Sequence, residues 1–395
     1  MASSLFSTFC SLSLLLLGAL ISAGFRIIGS KSGNMAMAMA MAIDEVDSMA
    51  LLPLGSVSGI GSFIRLPQCG GPRPTVETVQ AVGVCYSSMG DNLPEPGEVV
   101  QLYKSYGIKR MRIYDTNKAI LNALRGSNIE VVVGIPNNDL QRVVNLSSAE
   151  SWVQRNIQAY IPHVNFRYVT IGNEVRPSDS FAGYVLPAMR NIYSAISAAN
   201  LQDQMKVSTV ISTVLLGASY PPSAGSFRSD AREFIEPIVS FLAKNGSPLL
   251  ANLYPYYSYI SNNRDITLDY ALLYDYNFPT VVDGNLVYHN LLDATVDALY
   301  AALEKSGGAN FSIVISESGW PSGAGTNTVV ENEVAGTYYR NLIRHVQSGS
   351  PRRPGRAIET YLFSMFDENL RPSETEKHFG LFTHDMKQKY QLSVS

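Results

Sequence analysis

Two glutamates are the residues best placed to do chemistry, because each follows an apolar run typical of a buried β-strand. Glu174 comes after the run 167–171 in the motif Ile-Gly-Asn-Glu-Val, and Glu317 comes after the run 311–316 in Ser-Glu-Ser-Gly-Trp-Pro. Barrel enzymes place their reacting groups at the carboxyl ends of parallel strands. Two carboxylates that face one cleft there can divide the roles of proton donor and nucleophile.

The elements that would position these glutamates form a repeating pattern. Eight apolar or β-branched runs alternate with helical segments, which predicts an α/β fold in which right-handed crossovers close a (β/α)8 TIM barrel. The predicted strands cover 81–86, 109–114, 130–136, 167–175, 206–212, 249–254, 311–316 and 358–366. On this count Glu174 ends strand four and Glu317 ends strand seven, so both point into one cleft at the top of the barrel.

Helical periodicity fills most of the connections between these runs. The predicted helices cover 97–106, 149–160, 185–199, 232–243, 291–305 and 333–347. In the first of them, Val99, Val100, Tyr103 and Tyr106 share a face, and Gly107 follows as a natural stop. The dense tyrosines of 254–276 predict a small elaboration around strand six that walls one side of the groove, although some of these rings would simply pack it.

Composition and charge narrow the class of protein. With 46% hydrophobic and 16% charged residues over 395 positions, the chain can bury a large core. A formal charge of -3 and the lack of a lysine and arginine stripe argue against a nucleic-acid partner and suit a neutral polymer. We expect one catalytic domain over 79–395, acting as a monomer.

The amino-terminal part reads as two further segments. Residues 1–23 resemble a secretory signal peptide, with an apolar core at 14–20 and a small-residue exit at 21–23. Residues 24–78 are low in complexity and contain a Met-Ala repeat at 35–42, which indicates a propeptide-like segment or an artefact of gene prediction rather than a binding module. The chain lacks a run of about 18 apolar residues, so we expect no membrane span.

Cysteine and histidine usage points away from disulfides and metals. Cys10 lies in the signal, which leaves Cys69 and Cys85. A bridge between those two is possible, but Cys85 sits in a strand-like run, where a buried apolar thiol is the better interpretation. The five histidines fall in no ligand spacing, so we expect neither a metal nor a cofactor.

At this point the motifs resemble those of plant glycoside hydrolase family 17, the endo-1,3-β-glucanases related to pathogenesis-response proteins. The likeness covers nearly all of 82–390. Besides the two glutamate motifs, it is carried by Val-Gly-Val-Cys-Tyr (82–86), Lys-Arg-Met-Arg-Ile-Tyr (109–114), Leu-Leu-Ala-Asn-Leu-Tyr-Pro-Tyr (249–256) and Met-Phe-Asp-Glu-Asn (365–369).

The resemblance implies a reaction and roles for residues. Glu174 would be the proton donor and Glu317 the nucleophile of a retaining endo-hydrolase of β-1,3-glucan, in cell-wall or defence metabolism. In a retaining glycosidase the two catalytic carboxyl groups stand roughly 5 to 5.5 Å apart. To stay protonated, Glu174 needs a raised pKa, which a dry pocket or the charge of Glu317 would supply. Asn173 is suited to hydrogen-bond a sugar 2-hydroxyl.

Two further acidic residues are expected to support the site. The resemblance places Glu368 near the end of strand eight and Glu376 in the following loop in this role. Many relatives have Lys three residues after the first of these glutamates, whereas this chain has Arg371, and the two side chains are not interchangeable. A surface salt-bridge network is an equally good interpretation of these charges.

Aromatic side chains at strand ends are the candidates for packing against sugar faces. We select Tyr114, Tyr254, Trp320 and Phe366. Any one such ring is more often part of a core than a sugar platform. For Phe366 the core and platform interpretations are equally good.

The sequence also bears on location. Glycosylation sequons at Asn145, Asn245 and Asn310 fit a secreted glycoprotein, with the latter two on the bottom face of the barrel. The carboxyl end shows no apolar tail for a lipid anchor and no extra tail like that of vacuolar relatives. We therefore expect the extracellular space or cell wall, with the vacuole second.

Two rival functions stay open. One is a hydrolase that prefers mixed β-1,3/1,4-glucan, because the same carboxylates serve both linkages and groove shape decides. The other is a barrel that binds glucan without cleaving it, against which the intact pair of carboxylates argues.

Overall fold

Eight parallel strands close into a barrel in which each strand pairs with the next and the last pairs with the first. The computed structural model describes residues 81–274, 281–308, 311–323 and 328–392. The barrel strands are β1 (Val82–Cys85), β2 (Arg110–Arg112), β3 (Glu130–Ile135), β4 (Asn165–Asn173), β5 (Lys206–Ser212), β6 (Leu249–Asn252), β7 (Ile313–Ser318) and β8 (Thr360–Leu362). The predicted (β/α)8 barrel and all eight of its strands are confirmed.

Strand β3 shows why these runs become barrel strands. Every residue of β3 after Glu130 is buried, because a parallel barrel strand is covered by side chains inside and by helices outside. The β-branched valines of the strand suit this pleated, fully packed position. Its register with β4 runs from Glu130 opposite Asn165 to Ile135 opposite Ile171, so the two strands end together at the top of the barrel.

Helices cover the outside of the barrel. The main helices between successive barrel strands are α1 (Pro96–Ser105), α2 (Lys118–Ala123), α3 (Leu146–Asn156), α4 (Ala182–Ala198), α5 (Arg232–Asn245), α6 (Leu291–Lys305) and α7 (Thr328–His345). Helix α6 has the predicted bounds, and the other predicted helices differ from the observed ones by up to about one and a half turns. Helix α2 was not predicted from the sequence; its buried residues are Ile120 and Leu121.

Capping residues define several helix boundaries. Asn145 precedes α3 and accepts a hydrogen bond from the Ser148 N–H at 3.1 Å, and Asn290 precedes α6 and accepts one from the Asp293 N–H at 2.8 Å. Such caps satisfy backbone donors that the first turn leaves unpaired. Helix α5 ends at Gly246, whose φ of 59° lies in the left-handed region that favours glycine.

The predicted elaboration around strand six is also present. Between β6 and α6 lie the short helices Pro255–Ser261 and Leu268–Ala271 and an antiparallel pair of strands, Val281–Asp283 and Leu286–Tyr288. A second small hairpin, Leu216–Ala218 with Ser226–Phe227, follows β5. Other short elements are the helix Leu140–Val143 and the 3-10 turns Asn137–Asp139 and Thr375–His378.

The barrel interior is packed apolar at mid-height and closed by charges at the bottom. Side chains from most of the barrel strands, including Cys85, Val132 and Leu250, form one interior cluster. At the amino ends of the strands, Arg167 donates to both carboxylate oxygens of Glu359, at 2.8 and 2.7 Å, and pairs with Glu130 at 3.0 Å. The barrel is therefore a filled core with its cleft at the opposite, top face.

Several sequence predictions concern the amino-terminal part or single residues. The signal peptide, the segment 24–78, Cys69 and Asn310 lie outside the described residues. Cys85 is a free, fully buried thiol, and burial raises its pKa to about 12, which suits a packing role. Within the described part of the chain, no helix is both long and apolar enough to cross a bilayer.

The two described sequons differ in their surroundings. Asn145 is exposed on the surface as the cap of α3. Asn245 is half-buried in the last turn of α5, where its Nδ2 donates to the Phe241 carbonyl at 2.8 Å. A glycan at Asn245 would replace one of the two hydrogens of Nδ2, so the other N–H would have to keep this hydrogen bond.

Candidate active site

Glu174 lies one residue beyond β4 in an unusual backbone conformation. Its φ of 53° is in the left-handed region, which costs a residue with a side chain roughly 1 to 2 kcal/mol. The pairing of β4 with β5 shifts register between Thr170 and Asn173, and the Glu174 N–H donates to the Val210 carbonyl at 3.0 Å. Such irregularities next to active sites re-aim side chains, and Glu174 lines the top cleft.

Glu317 is buried inside β7 and held by three donors. Its Oε1 accepts from Arg112 Nη1 and from the Tyr114 hydroxyl, each at 2.7 Å, and its Oε2 accepts from the Tyr254 hydroxyl at 2.7 Å. Burial, and then the charge of Glu317, raise the pKa of Tyr254 well above its ordinary value, so this phenol stays protonated and donates. An ionised carboxylate is the form that accepts on both oxygens.

Arg112 on β2 connects the groups around Glu317. It is 1% exposed, and besides Glu317 its Nη1 donates to the Ser316 carbonyl at 2.8 Å. Its Nη2 donates to Asn173 Oδ1 at 2.7 Å. The guanidinium also stacks over the Tyr114 ring at 4.5 Å. This planar fork places a positive charge and directional donors beneath the nucleophile candidate.

Asn252 at the end of β6 lies between the two glutamates. Its Nδ2 donates to Glu174 Oε1 at 2.7 Å, while its Oδ1 accepts from Arg112 Nη1 at 3.1 Å and from Ser316 Oγ at 2.8 Å. Arg112 in turn holds Glu317. One amide and one guanidinium therefore link the two carboxyl groups into a single hydrogen-bonded network.

The two carboxyl groups sit in different surroundings. Burial first, and then the negative charge of Glu317, raise the pKa of Glu174, and the hydrogen bond from Asn252 opposes this only in part. Glu317 instead accepts from the cationic Arg112. Pairs of carboxyl groups in unlike surroundings are typical of sites where one carboxyl acts as an acid and the other as an anion.

A cleft of about 760 Å³ opens above this network. It is lined by both glutamates and by side chains from the loops that follow several strands. A cleft of this size at the carboxyl ends of the strands can hold a polymer segment of a few sugar rings. Within the described ranges, no three His, Cys, Asp or Glu side chains group as metal ligands.

Comparison with known proteins places the chain in a family. The sequence model described as glycosyl hydrolases family 17 matches residues 82–394. The chain belongs to this family. The glucan endo-1,3-beta-glucosidase of Vitis vinifera is 57% identical over 321 residues, which span 80% of this chain and 92% of that protein.

Two solved structures of high similarity carry the same fold. One, from work on two plant beta-glucan endohydrolases with distinct substrate specificities, is 46% identical with a TM-score of 0.75 and covers 79% of this chain and 99% of its own. The other, a beta-1,3-glucanase and allergen of Cryptomeria japonica pollen, is 45% identical with a TM-score of 0.76 and covers 80% and 99%. The predicted resemblance to family 17 is confirmed.

The aromatic residues selected from the sequence divide into two groups in this family 17 chain. Tyr114 and Tyr254 line the cleft and bind Glu317 through their hydroxyls. Trp320 and Phe366 are buried, at 5% and 2% exposure, and are absent from the cleft lining. The expectation of a sugar platform at these last two positions is therefore corrected.

Both corrected residues have core partners from distant elements. Trp320 packs against Tyr256, Tyr259 and Tyr338, which come from the elaboration after β6 and from α7. Phe366 packs against Tyr86 and Phe382. Aromatic pairs of this kind stabilise cores by about 0.5 to 1.5 kcal/mol beyond the area they bury.

The acidic residues expected to support the site take different positions. Glu368 is 2% exposed and joins two loops, since it accepts from the Met89 N–H at 3.0 Å and from Arg371 Nε at 2.7 Å. Arg371 reaches on to Ser87 Oγ at 2.9 Å and lies 5.1 Å over the Phe363 ring. Arg371 lines the cleft and Glu368 does not. The planar fork of Arg371 serves this clamp in a way that a lysine would not.

Glu376 and Asn173 both lie at the cleft. Glu376 is in the 3-10 turn Thr375–His378 and lines the cleft wall. Asn173 lines it too, and its Oδ1 accepts from Arg112 and, at 3.3 Å, from Asn252. The Asn173 side chain is thus oriented by the same network that holds the glutamates.

Sequence reasoning missed Arg112 and Asn252 as site residues, although both lie in motifs that carried the family resemblance. The available signal was an amide side chain inside the apolar run 249–254 and, for Arg112, a basic side chain in the middle of a predicted barrel strand. Lys, Glu, Arg and Asp are almost never fully buried unless paired. A buried partner for Arg112 was therefore to be expected near a strand end.

Proposed function

We propose that this chain is a retaining endo-hydrolase of β-1,3-glucan, with Glu174 as acid and base and Glu317 as nucleophile. The observation that carries the proposal is the network in which Asn252 and Arg112 join the two carboxyl groups at one cleft. The name of the Vitis vinifera relative supports the same substrate and an endo mode of action. Because the chain belongs to family 17, the two chemical steps are those of a glycosidase.

In the first step, Glu317 attacks the anomeric carbon of the sugar. As a bond forms between its carboxylate oxygen and C1, the bond from C1 to the bridging oxygen breaks, and Glu174 transfers its proton to that oxygen. The glucan beyond the cleaved bond leaves as an alcohol. Arg112, Tyr114 and Tyr254 hold the Glu317 carboxylate for this attack.

In the second step, water releases the sugar. Glu174, now a carboxylate, accepts a proton from the water as the water oxygen bonds to C1, and the bond from C1 to Glu317 breaks. Both carboxyl groups return to their starting states. Asn173, oriented through its Oδ1, presents its amide to the sugar 2-hydroxyl.

The substrate proposal follows from the walls of the cleft. Rings from Phe363, Phe379 and Tyr257 line it beside polar groups, and pyranose sugars present apolar hydrogens to rings and hydroxyls to polar neighbours. Tyr257, at 40% exposure, belongs to the elaboration after β6. The net charge of -3 is compatible with a neutral polymer.

A comparison of glucan substrates tests the proposal. We expect rapid release of oligosaccharides from linear β-1,3-glucan, slower release from mixed β-1,3/1,4-glucan, and β-anomers as the first products seen by proton NMR. Faster cleavage of mixed-linkage glucan would identify that polymer, instead of β-1,3-glucan, as the preferred substrate. α-Anomers as the first products would refute retention of configuration. Glucan binding without new reducing ends would establish the non-catalytic alternative.

The pH dependence of hydrolysis is a second expected result. The reaction needs Glu174 protonated, and burial raises its pKa, so kcat/KM should stay high above the ordinary carboxyl range and fall as the pH rises through the pKa of Glu174. In Glu174→Gln the remaining activity should no longer fall as the pH rises through this range. If it still fell as in wild type, a group other than Glu174 would cause the loss of activity at high pH.

We further propose that the mature protein is secreted, after removal of the signal peptide at 1–23, and that 79–395 is the catalytic domain. The apolar core at 14–20 and the sequons support this proposal. Amino-terminal sequencing of the mature protein tests it, since a start at Met1 would contradict signal cleavage.

A further inference from the structure

Asn137 makes an unusual contact with the backbone next to Glu174. Its Oδ1 accepts from the Asn173 N–H at 2.8 Å, and its Nδ2 donates to the Asn173 carbonyl at 3.0 Å. The side-chain amide thus pairs with both polar groups of one residue, as a neighbouring strand would. The regular ladder of β3 and β4 ends at Ile135 opposite Ile171, and Asn137 extends it with a side chain.

The residues on both sides of Asn173 have a positive φ. Gly172, at 71°, is a glycine and adopts this conformation freely. Glu174, at 53°, carries a side chain, and such a conformation persists only where its surroundings enforce it. On one side, the Val210 carbonyl accepts from the Glu174 N–H. On the other side, Asn137 holds the preceding residue, so the two contacts together set the direction of the Glu174 side chain.

The space around Gly172 shows how tightly this contact is built. A Cβ atom on Gly172 would lie 3.0 Å from Asn137 Oδ1, closer than ordinary van der Waals contact. Because Gly172 has no Cβ, it can adopt the positive φ and leaves room for the Asn137 side chain.

We infer that Asn137 is a positioning residue for the general acid: it fixes the peptide before Glu174 and so decides where the proton of Glu174 is delivered. The inference rests on the proposed function, because it assigns Glu174 the acid role. A misplacement of about 1 Å at a reacting group can cost about 100-fold in rate. The loss should therefore fall on the step that needs the proton.

Substrates with different leaving groups test this inference. For Asn137→Ala we expect kcat/KM on β-1,3-glucan to fall roughly 10- to 100-fold. On the 2,4-dinitrophenyl glycoside of a β-1,3-linked glucose disaccharide, whose leaving group departs without protonation, kcat/KM should stay within about threefold of wild type. An equal loss on both substrates would overturn the inference, since it would indicate a lost substrate contact or a damaged fold.

Three further variants make the result decisive. Glu174→Ala should show the same dependence on leaving group, more strongly, and if it does not, the proposed function fails rather than the role of Asn137. Asn191 binds the carbonyls of Val143 and Val144 away from the cleft, so Asn191→Ala should show no such dependence.

Should Asn137→Ala not fold, Asn137→Asp keeps the acceptor and loses the donor, and the same contrast between substrates is expected. Wild-type kcat/KM on glucan in a folded Asn137 variant would refute the inference.

Discussion

Replacing Glu317 with Gln is expected to lower kcat for β-1,3-glucan by roughly 10⁴-fold or more, while glucan affinity stays within a few-fold of wild type. The amide keeps the shape of the side chain but cannot attack C1, so the first covalent step is lost. Steady-state kinetics and glucan binding by calorimetry measure the two quantities. A wild-type rate in this variant would remove Glu317 from the mechanism.

The structure also predicts a cost in stability for this variant. Glu317 accepts from Arg112, Tyr114 and Tyr254, and an amide nitrogen cannot accept a hydrogen bond. One buried donor loses its partner, which costs about 1 to 3 kcal/mol. Glu376→Gln is the matched control, because Glu376 lines the same cleft and, among the described residues, is not a hydrogen-bond partner shown for Glu317, Arg112 or Asn252. It should lose far less activity and keep its melting temperature.

Much of the scaffold was predictable from the sequence, because the signals of a parallel barrel are local. Valine-rich runs such as β3 are buried on both faces and stand out from the helical segments between them. Both glutamates were found because each directly follows such a run. Short elements with few buried residues, such as α2, carry too weak a pattern to find.

The surroundings of the glutamates could not be predicted in the same way. Trp320 follows a strand just as Tyr254 follows β6, yet the indole packs against Tyr338 of α7 while the phenol reaches Glu317. What decides between core and cleft is the packing of elements far apart in sequence. Asn137 is similar: its role depends on a backbone turn 36 residues away along the chain.

The contacts of Arg112 with the site could not be predicted from the sequence either. Its replacement is the second change for which we expect a large effect. Arg112→Ala would leave the Glu317 carboxylate buried without its cation, a loss that costs about 3 to 5 kcal/mol in other buried pairs. Arg112→Lys keeps the charge but cannot reach Glu317, Asn173 and Asn252 together as the guanidinium does. We expect Arg112→Lys to lose less stability than the Ala variant, and kcat to fall roughly 100-fold in the Lys variant.

Arg110 on the same strand provides the control for charge and position. It pairs with Glu130 at 2.7 Å near the bottom of the barrel, where the glutamate side chain is 37% exposed. The Arg110 side chain is only 12% exposed, but a lysine keeps the positive charge opposite Glu130, so Arg110→Lys should keep kcat and lose little melting temperature. If Arg112→Lys also kept wild-type kcat, a positive charge alone would suffice beneath Glu317. The loss of kcat in Arg112→Lys but not in Arg110→Lys would instead show that the directional bonds of the guanidinium, which align Glu317 with Asn173 and Asn252, are what the reaction requires.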